Sequence, residues 1–92
     1  MDLNILESLK SKLYLKARNY LDKIELDEDY DIKDFLIENH SISYVVDHEF
    51  ILVPNIMIKL NLKLKNEILS NGYYSLYLDF EYNFLDEFFV IH

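Results

Sequence analysis

The chain has no cysteine and no tryptophan, and only one glycine and one proline in 92 residues. Without cysteine there is no disulfide, no thiolate metal site and no thiol nucleophile. With Gly72 as its one glycine it has no Gly-rich loop to cradle a phosphate. No apolar run approaches the roughly 18–20 residues that a membrane-spanning helix needs. The opening MDLNILESLK has an early acid and no apolar centre of the kind that marks a secretory signal. These absences lead us to expect a cytoplasmic protein. Positive charge is also scarce: nine Lys and Arg stand against seventeen Asp and Glu, for a net −8.

Apolar residues are plentiful, at 51% of the chain. That supply, with so few helix and strand breakers, argues for an ordered core and against a disordered acidic chain. A chain of this length makes one domain, residues 1–92. The charge is uneven along it. Residues 1–24 sum to +2, 25–55 to −8, 56–72 to +2 and 73–92 to −4. Such a chain repels nucleic-acid phosphates, so DNA and RNA are not expected as direct ligands. A basic protein is the natural partner.

Leu3, Leu6, Leu9, Leu13, Ala17, Tyr20 and Ile24 recur every three or four residues, one stripe of an amphipathic helix. Asp2 or Asn4 can cap it, and Lys10, Lys12, Lys16 and Lys23 fall off the stripe. Its polar face is only weakly cationic, so packing on a core is favoured over lying on a membrane. Ile32, Phe35 and Leu36 share one face of a short second helix over 31–39. SISYVVDHEFILVP then reads as a hairpin about Asp47-His48. Ile58, Leu60, Leu62 and Leu64 alternate strictly with Lys59, Asn61, Lys63 and Lys65, which predicts a half-buried strand; a helix over 56–70 is the rival. A further strand over 73–82 would turn Tyr74, Leu76, Leu78, Phe80 and Tyr82 inward. A four-residue turn, 83–86, leads from it to EFFVI. The expected architecture is α+β: the N-terminal helix and a short second helix on a mainly antiparallel sheet of four to five strands.

Six carboxylates crowd into ELDEDYDIKD, residues 25–34. Asp27, Asp29, Asp31 and Glu38 fall at the first, third, fifth and twelfth places of a calcium loop. The sixth place, where a sharp turn needs glycine, is Ile32, and the eighth is Asp34, so a calcium site is not expected. Among His40, His48 and His92 no two lie four apart as zinc ligands on a helix would. None of the six serines sits in a nucleophile-elbow sequence. With seventeen acids, some carboxylate pair always meets the spacing of glycosidic catalysis, so that signal carries nothing. The sequence therefore reads as a protein without catalysis, metal or cofactor.

What remains is a pattern of tyrosine among carboxylates. Glu25, Asp27, Glu28, Asp29, Tyr30, Asp31 and Asp34 form one such stretch. Tyr73, Tyr77, Asp79 and Glu81 form the other, on the outer face of the 73–82 strand. Tyrosine gives rigid contact area, and acids with rings suit a Lys- and Arg-rich partner. If strands 57–65 and 73–82 pair over a 66–72 loop, Lys59 faces Asp79 and neutralises part of that surface. Phe88 and Val90 would join the same face, to be covered by a helix, a partner or a second copy in a homodimer. The profile of size, charge and composition resembles that of bacterial immunity proteins, which neutralise nuclease toxins, and of phage inhibitors that mimic nucleic acid. The resemblance implies a small inhibitor of a basic toxin or nucleic-acid-binding protein.

Overall fold

A computed structural model describes residues 3–24, 32–46, 51, 53–65 and 72–91. Helix α1 runs Leu3–Leu21, a 3-10 turn spans Ile32–Asp34, and four strands follow: β1 Phe35–Val45, β2 Asn55–Leu64, β3 Gly72–Leu78 and β4 Phe84–Ile91. They form one antiparallel sheet in chain order, β1-β2-β3-β4. The helix lies on one face, so the protein is α+β, with one N-terminal helix on a four-stranded antiparallel sheet. Among the described residues no helix is long and apolar enough to cross a membrane.

The helix follows the stripe from its middle onward. Leu13, Ala17 and Leu21 are buried, with Tyr14 beside them, while Leu9, Tyr20 and Ile24 pack at the margin. Ala17 has no accessible surface, which lets the helix backbone come close to the sheet. The last turn tightens as Lys23 and Ile24 donate to the Tyr20 and Leu21 carbonyls, three residues back. Across the interface, Ile56, Ile58, Leu60 and Leu62 of β2 and Tyr74, Leu76 and Leu78 of β3 complete the core. Burying each of these large side chains stabilises the fold by about 1.5–3 kcal/mol. The alternation in β2 is as the sequence predicts, and the rival helix over 56–70 is excluded for its described part by ladders on both sides.

Three expectations are corrected. Phe35–Asn39 is strand, not a second helix. Phe35 and Ile37 face the core, as does Ile42, with Tyr44 exposed on the same face, and the change from odd to even positions comes at a bulge. Asn39 pairs with Leu60 and Ser41 with Lys59, leaving His40 as the extra residue. A bulge moves the side-chain phase by one, so neither half shows the alternation of the whole. A fifth strand beyond the Asp47-His48 tip is not formed at Ile51 or Val53; the tip itself lies outside the described residues. β3 stops at Leu78, short of the predicted 82, and the chain turns at 79–83 instead of 83–86. Phe80 and Tyr82, expected to face inward, are exposed.

The sheet curls around its helix. Phe35 on one edge strand and Phe89 on the other meet edge to face, 6.4 Å between centroids. Tyr44 of β1 and Phe80 beyond β3 meet likewise at the opposite end, 5.8 Å apart. Flat strands about 4.8 Å apart would hold the two edges some 14 Å from each other. Gly72 sits tight against the end of β4: a Cβ there would overlap the Val90 carbonyl oxygen and stand 3.0 Å from Ile91 Cα. Side chains also tie the helix down. Arg18 donates to Asn39 Oδ1 (2.9 Å) and to the Ile37 carbonyl (3.3 Å) on β1, and Lys16 Nζ donates to the Tyr82 carbonyl (2.7 Å) in the last turn.

Candidate functional site

Of the first acidic stretch, Glu25, Asp27, Glu28, Asp29, Tyr30 and Asp31 lie outside the described residues. Asp34 ends the 3-10 turn with its side chain exposed, and its carbonyl accepts the Lys65 N–H (3.0 Å), which opens the β1–β2 ladder. Asp79 belongs to the opposite end of the sheet, beyond the Ile56–Leu78 pair. About nine residues of β2, roughly 30 Å, separate those ends.

The second set splits between strand and turn. Tyr73 and Tyr77 share the outer face of β3 as predicted, opposite Asn61 and Met57. Tyr77 is nonetheless buried, with Phe88 edge to face at 5.6 Å. Burial, with Tyr73 and Asp86 nearby, raises its hydroxyl above the usual tyrosine range. Phe88 thus covers Tyr77 while itself staying exposed. Lys59 lies opposite Ser75 instead of Asp79, because the ladder starts at Leu62–Gly72; its Nζ stands 4.5 Å from the Tyr73 ring centroid. Lys63 pairs with Glu38 at 3.5 Å, so cations hold the middle of this face.

Asp79 and Glu81 are past the strand. Asp79 Oδ1 accepts the N–H groups of Glu81 (2.8 Å) and Asn83 (2.9 Å), and Oδ2 accepts the Asn83 amide (3.2 Å). The Asn83 N–H holds this carboxyl below its ordinary range, with further help from the Asn83 side chain and the Glu81 N–H. A side chain that captures the turn's donors ends the strand; that is the physical reason β3 is short. Tyr82, in the same turn, has φ 68°, in the left-handed region that bulky residues avoid. Tyr82→Val is therefore expected to lower stability by about 1–2 kcal/mol, and Tyr82→Asn to leave it level or raise it. Urea titration of the two variants checks this.

Two features escaped the sequence. Tyr74, fully buried on the inner face, donates its hydroxyl to Glu87 at 2.6 Å. Burial and the Glu87 carboxylate push that hydroxyl well above the usual tyrosine range. Between the first half of α1 and β1 runs a groove of about 350 Å³, lined by Leu6, Leu9, Leu13, Tyr14, Ile42 and Tyr44, with Glu7 and Lys10 on its rim. The stripe of α1 hinted at it, since Leu6 extends the apolar face beyond what the sheet buries; nothing in the sequence marked Tyr44. Among the described residues no group of three or more His, Asp or Glu is placed to hold a metal ion. Comparison of the chain with models of protein families, with curated proteins and with solved structures finds no match.

Proposed function

We propose that this chain is a non-catalytic binding protein whose excess carboxylates engage the basic surface of another protein, in the manner of an immunity protein that blocks a nuclease toxin. The division of charge supports this reading. Residues 25–55 carry nine acids and one base, and residues 73–92 carry four acids and no base. Seventeen acids against nine bases leave eight carboxylates with no basic residue in the sequence to balance them, and five of the acids crowd into 25–31. An external cation is the natural complement.

Such a protein works by occupancy. Covering the cationic groove of a nuclease denies the nucleic acid its phosphate contacts, and the covering charge repels what remains. Long-range attraction raises the rate of encounter and weakens with salt. The test is affinity capture from the source cells, followed by binding and nuclease assays on the purified captured protein. We expect a basic partner that is inhibited, and an affinity that falls at least about tenfold between 50 and 500 mM salt. Replacing Asp27, Asp29 and Asp31 together by Asn should slow association. A captured partner of acidic or neutral charge, or binding indifferent to salt, would refute the reading.

A further inference from the structure

The turn after β3 carries exposed rings and negative charge together. Phe80 is 51% exposed, Tyr82 41% and Phe84 43%. Tyr44, 62% exposed, meets Phe80 edge to face, so the rings continue onto β1. Scattered exposed apolar side chains need no explanation, but a group of this kind marks an interaction site. From Asp79 to Ile91 the chain has four acids, Asp79, Glu81, Asp86 and Glu87, and no Lys or Arg. Two of them are already engaged. Asp79 holds the donors of its own turn, and Glu87 accepts the Tyr74 hydroxyl. Lys16 reaches the turn from the helix, where its Nζ donates to the Tyr82 carbonyl (2.7 Å) and offsets one charge. Glu81 and Asp86 are exposed, and among the described residues neither has an ion-pair partner.

Tyr82 is the informative residue. Its φ of 68° suits Asn or Gly better than a large aromatic, and its ring is exposed. Neither backbone preference nor core packing accounts for a tyrosine at that position. The turn around it is fixed before any partner arrives. Asp79 makes three hydrogen bonds to Glu81 and Asn83, and Lys16 adds a fourth at the Tyr82 carbonyl. A contact residue held in this way loses little freedom when it binds.

We propose that the 80–82 turn is where the basic partner is gripped, by an Arg side chain whose guanidinium lies on the Tyr82 ring and whose charge is met by Glu81. This rests on the binding function proposed above and gives it a place in the fold. The occupant follows from the charges at the turn itself. Arginine offers one plane to an aromatic face and five donors to a carboxylate, and Asp86 adds to the attracting field. A second copy of the chain would bring its own Glu81 and Asp86 to the same turn and be repelled. Nucleic acid is repelled for the same reason.

The probe is a short peptide of alternating Gly and Arg, tested beside a version with uncharged citrulline for Arg, by amide NMR of the isotope-labelled protein. The Arg peptide should shift the amides of Phe80, Glu81 and Tyr82 saturably, and the citrulline peptide should not. Tyr82→Asn and Glu81→Gln should each weaken that binding about two- to fivefold. Both should weaken the captured partner at least as much. Replacing Asp27, Asp29 and Asp31 by Asn should leave the shifts at the turn in place. Tyr82→Asn is expected to fold at least as well as the parent, and the exposed Glu81 carboxylate has no partner among the described residues, so lost binding is not lost fold. Urea titration verifies this for each variant. Shifts that lie elsewhere and persist in both variants, no saturable shift, or equal binding of the citrulline peptide would overturn the site. A captured partner that is basic and salt-sensitive but indifferent to both variants would also overturn it, and would leave the binding function standing. Self-association that is lost in Glu81→Gln would assign the turn to a second copy and refute the proposal.

Discussion

Gly72→Val is expected to lower stability by more than about 3 kcal/mol and to leave much of the chain unfolded under mild conditions. The reason is space. Gly72 pairs with Leu62 on one side and Ile91 on the other, and its φ is not in the left-handed region, so backbone freedom is not what the position requires. A side chain there meets the backbone at Val90 and Ile91, which cannot swing aside as a flexible side chain would. To admit a Cβ, the end of β4 must move away from β3 and take Phe89 with it. The Phe35–Phe89 contact that closes this end of the inner face then opens. Gly72→Ala should fail in the same way to a smaller extent. Ser75→Ala, at a buried position that already carries a Cβ, should change stability by less than about 1 kcal/mol. Urea denaturation of the three variants ranks them.

Tyr74 carries the second large effect. Tyr74→Ala removes a fully buried ring from beneath the helix and is expected to cost about 3–5 kcal/mol. Tyr74→Phe keeps the ring and removes the hydrogen bond to Glu87, for about 1.5–3 kcal/mol. The hydroxyl also makes a prediction in alkali. An unfolded chain releases tyrosine protons near pH 10, whereas the fold holds the Tyr74 proton to higher pH. Above pH 10 the unfolded state therefore binds fewer protons, and stability falls as pH rises, by at most about 1.4 kcal/mol per unit for this group. Below pH 10 its contribution is fully present. Tyr77, also raised, adds to the slope. Tyr74→Phe should flatten the alkaline decline in part. A slope unchanged by the substitution would mean that the hydroxyl titrates alike in both states.

The legible parts of the fold were those with an unbroken period. The α1 stripe and the β2 alternation run without interruption, and both elements stand where they were read. The second half of β1 was read as an arm of the SISYVVDHEFILVP hairpin; its first half, Phe35–Asn39, was taken for helix, cut off from the rest by the extra residue His40. The last strand was read at EFFVI, with Phe88 and Val90 on the outer face as found; its start at Phe84 was taken for turn, because Leu85 is left over where Asp86 pairs with Tyr77 and Phe84 with Leu78. Each bulge cuts an alternating strand into two pieces of opposite phase, so the piece beyond it does not continue the pattern of the other. The candidate surface was legible only in composition. Tyrosine beside a carboxylate along the chain does not say that Tyr77 is roofed by Phe88, or that Asp79 spends its oxygens on its own turn. The groove at Tyr44 depends on how far a helix overhangs a sheet, a tertiary quantity with no local signature.

The strict chain order of the strands has a consequence for how the molecule comes together. Every ladder joins neighbours in sequence, so each hairpin closes a short loop, and folding is not delayed by distant partners. The helix is the exception. Made before the strands, it has no surface on which to bury Leu13, Ala17 and Leu21 until β2 and β3 have emerged, through Leu78. At synthesis rates of about 5–20 residues per second, that apolar stripe stays uncovered for several seconds. In that interval the nascent helix is the part of the chain that a chaperone would meet.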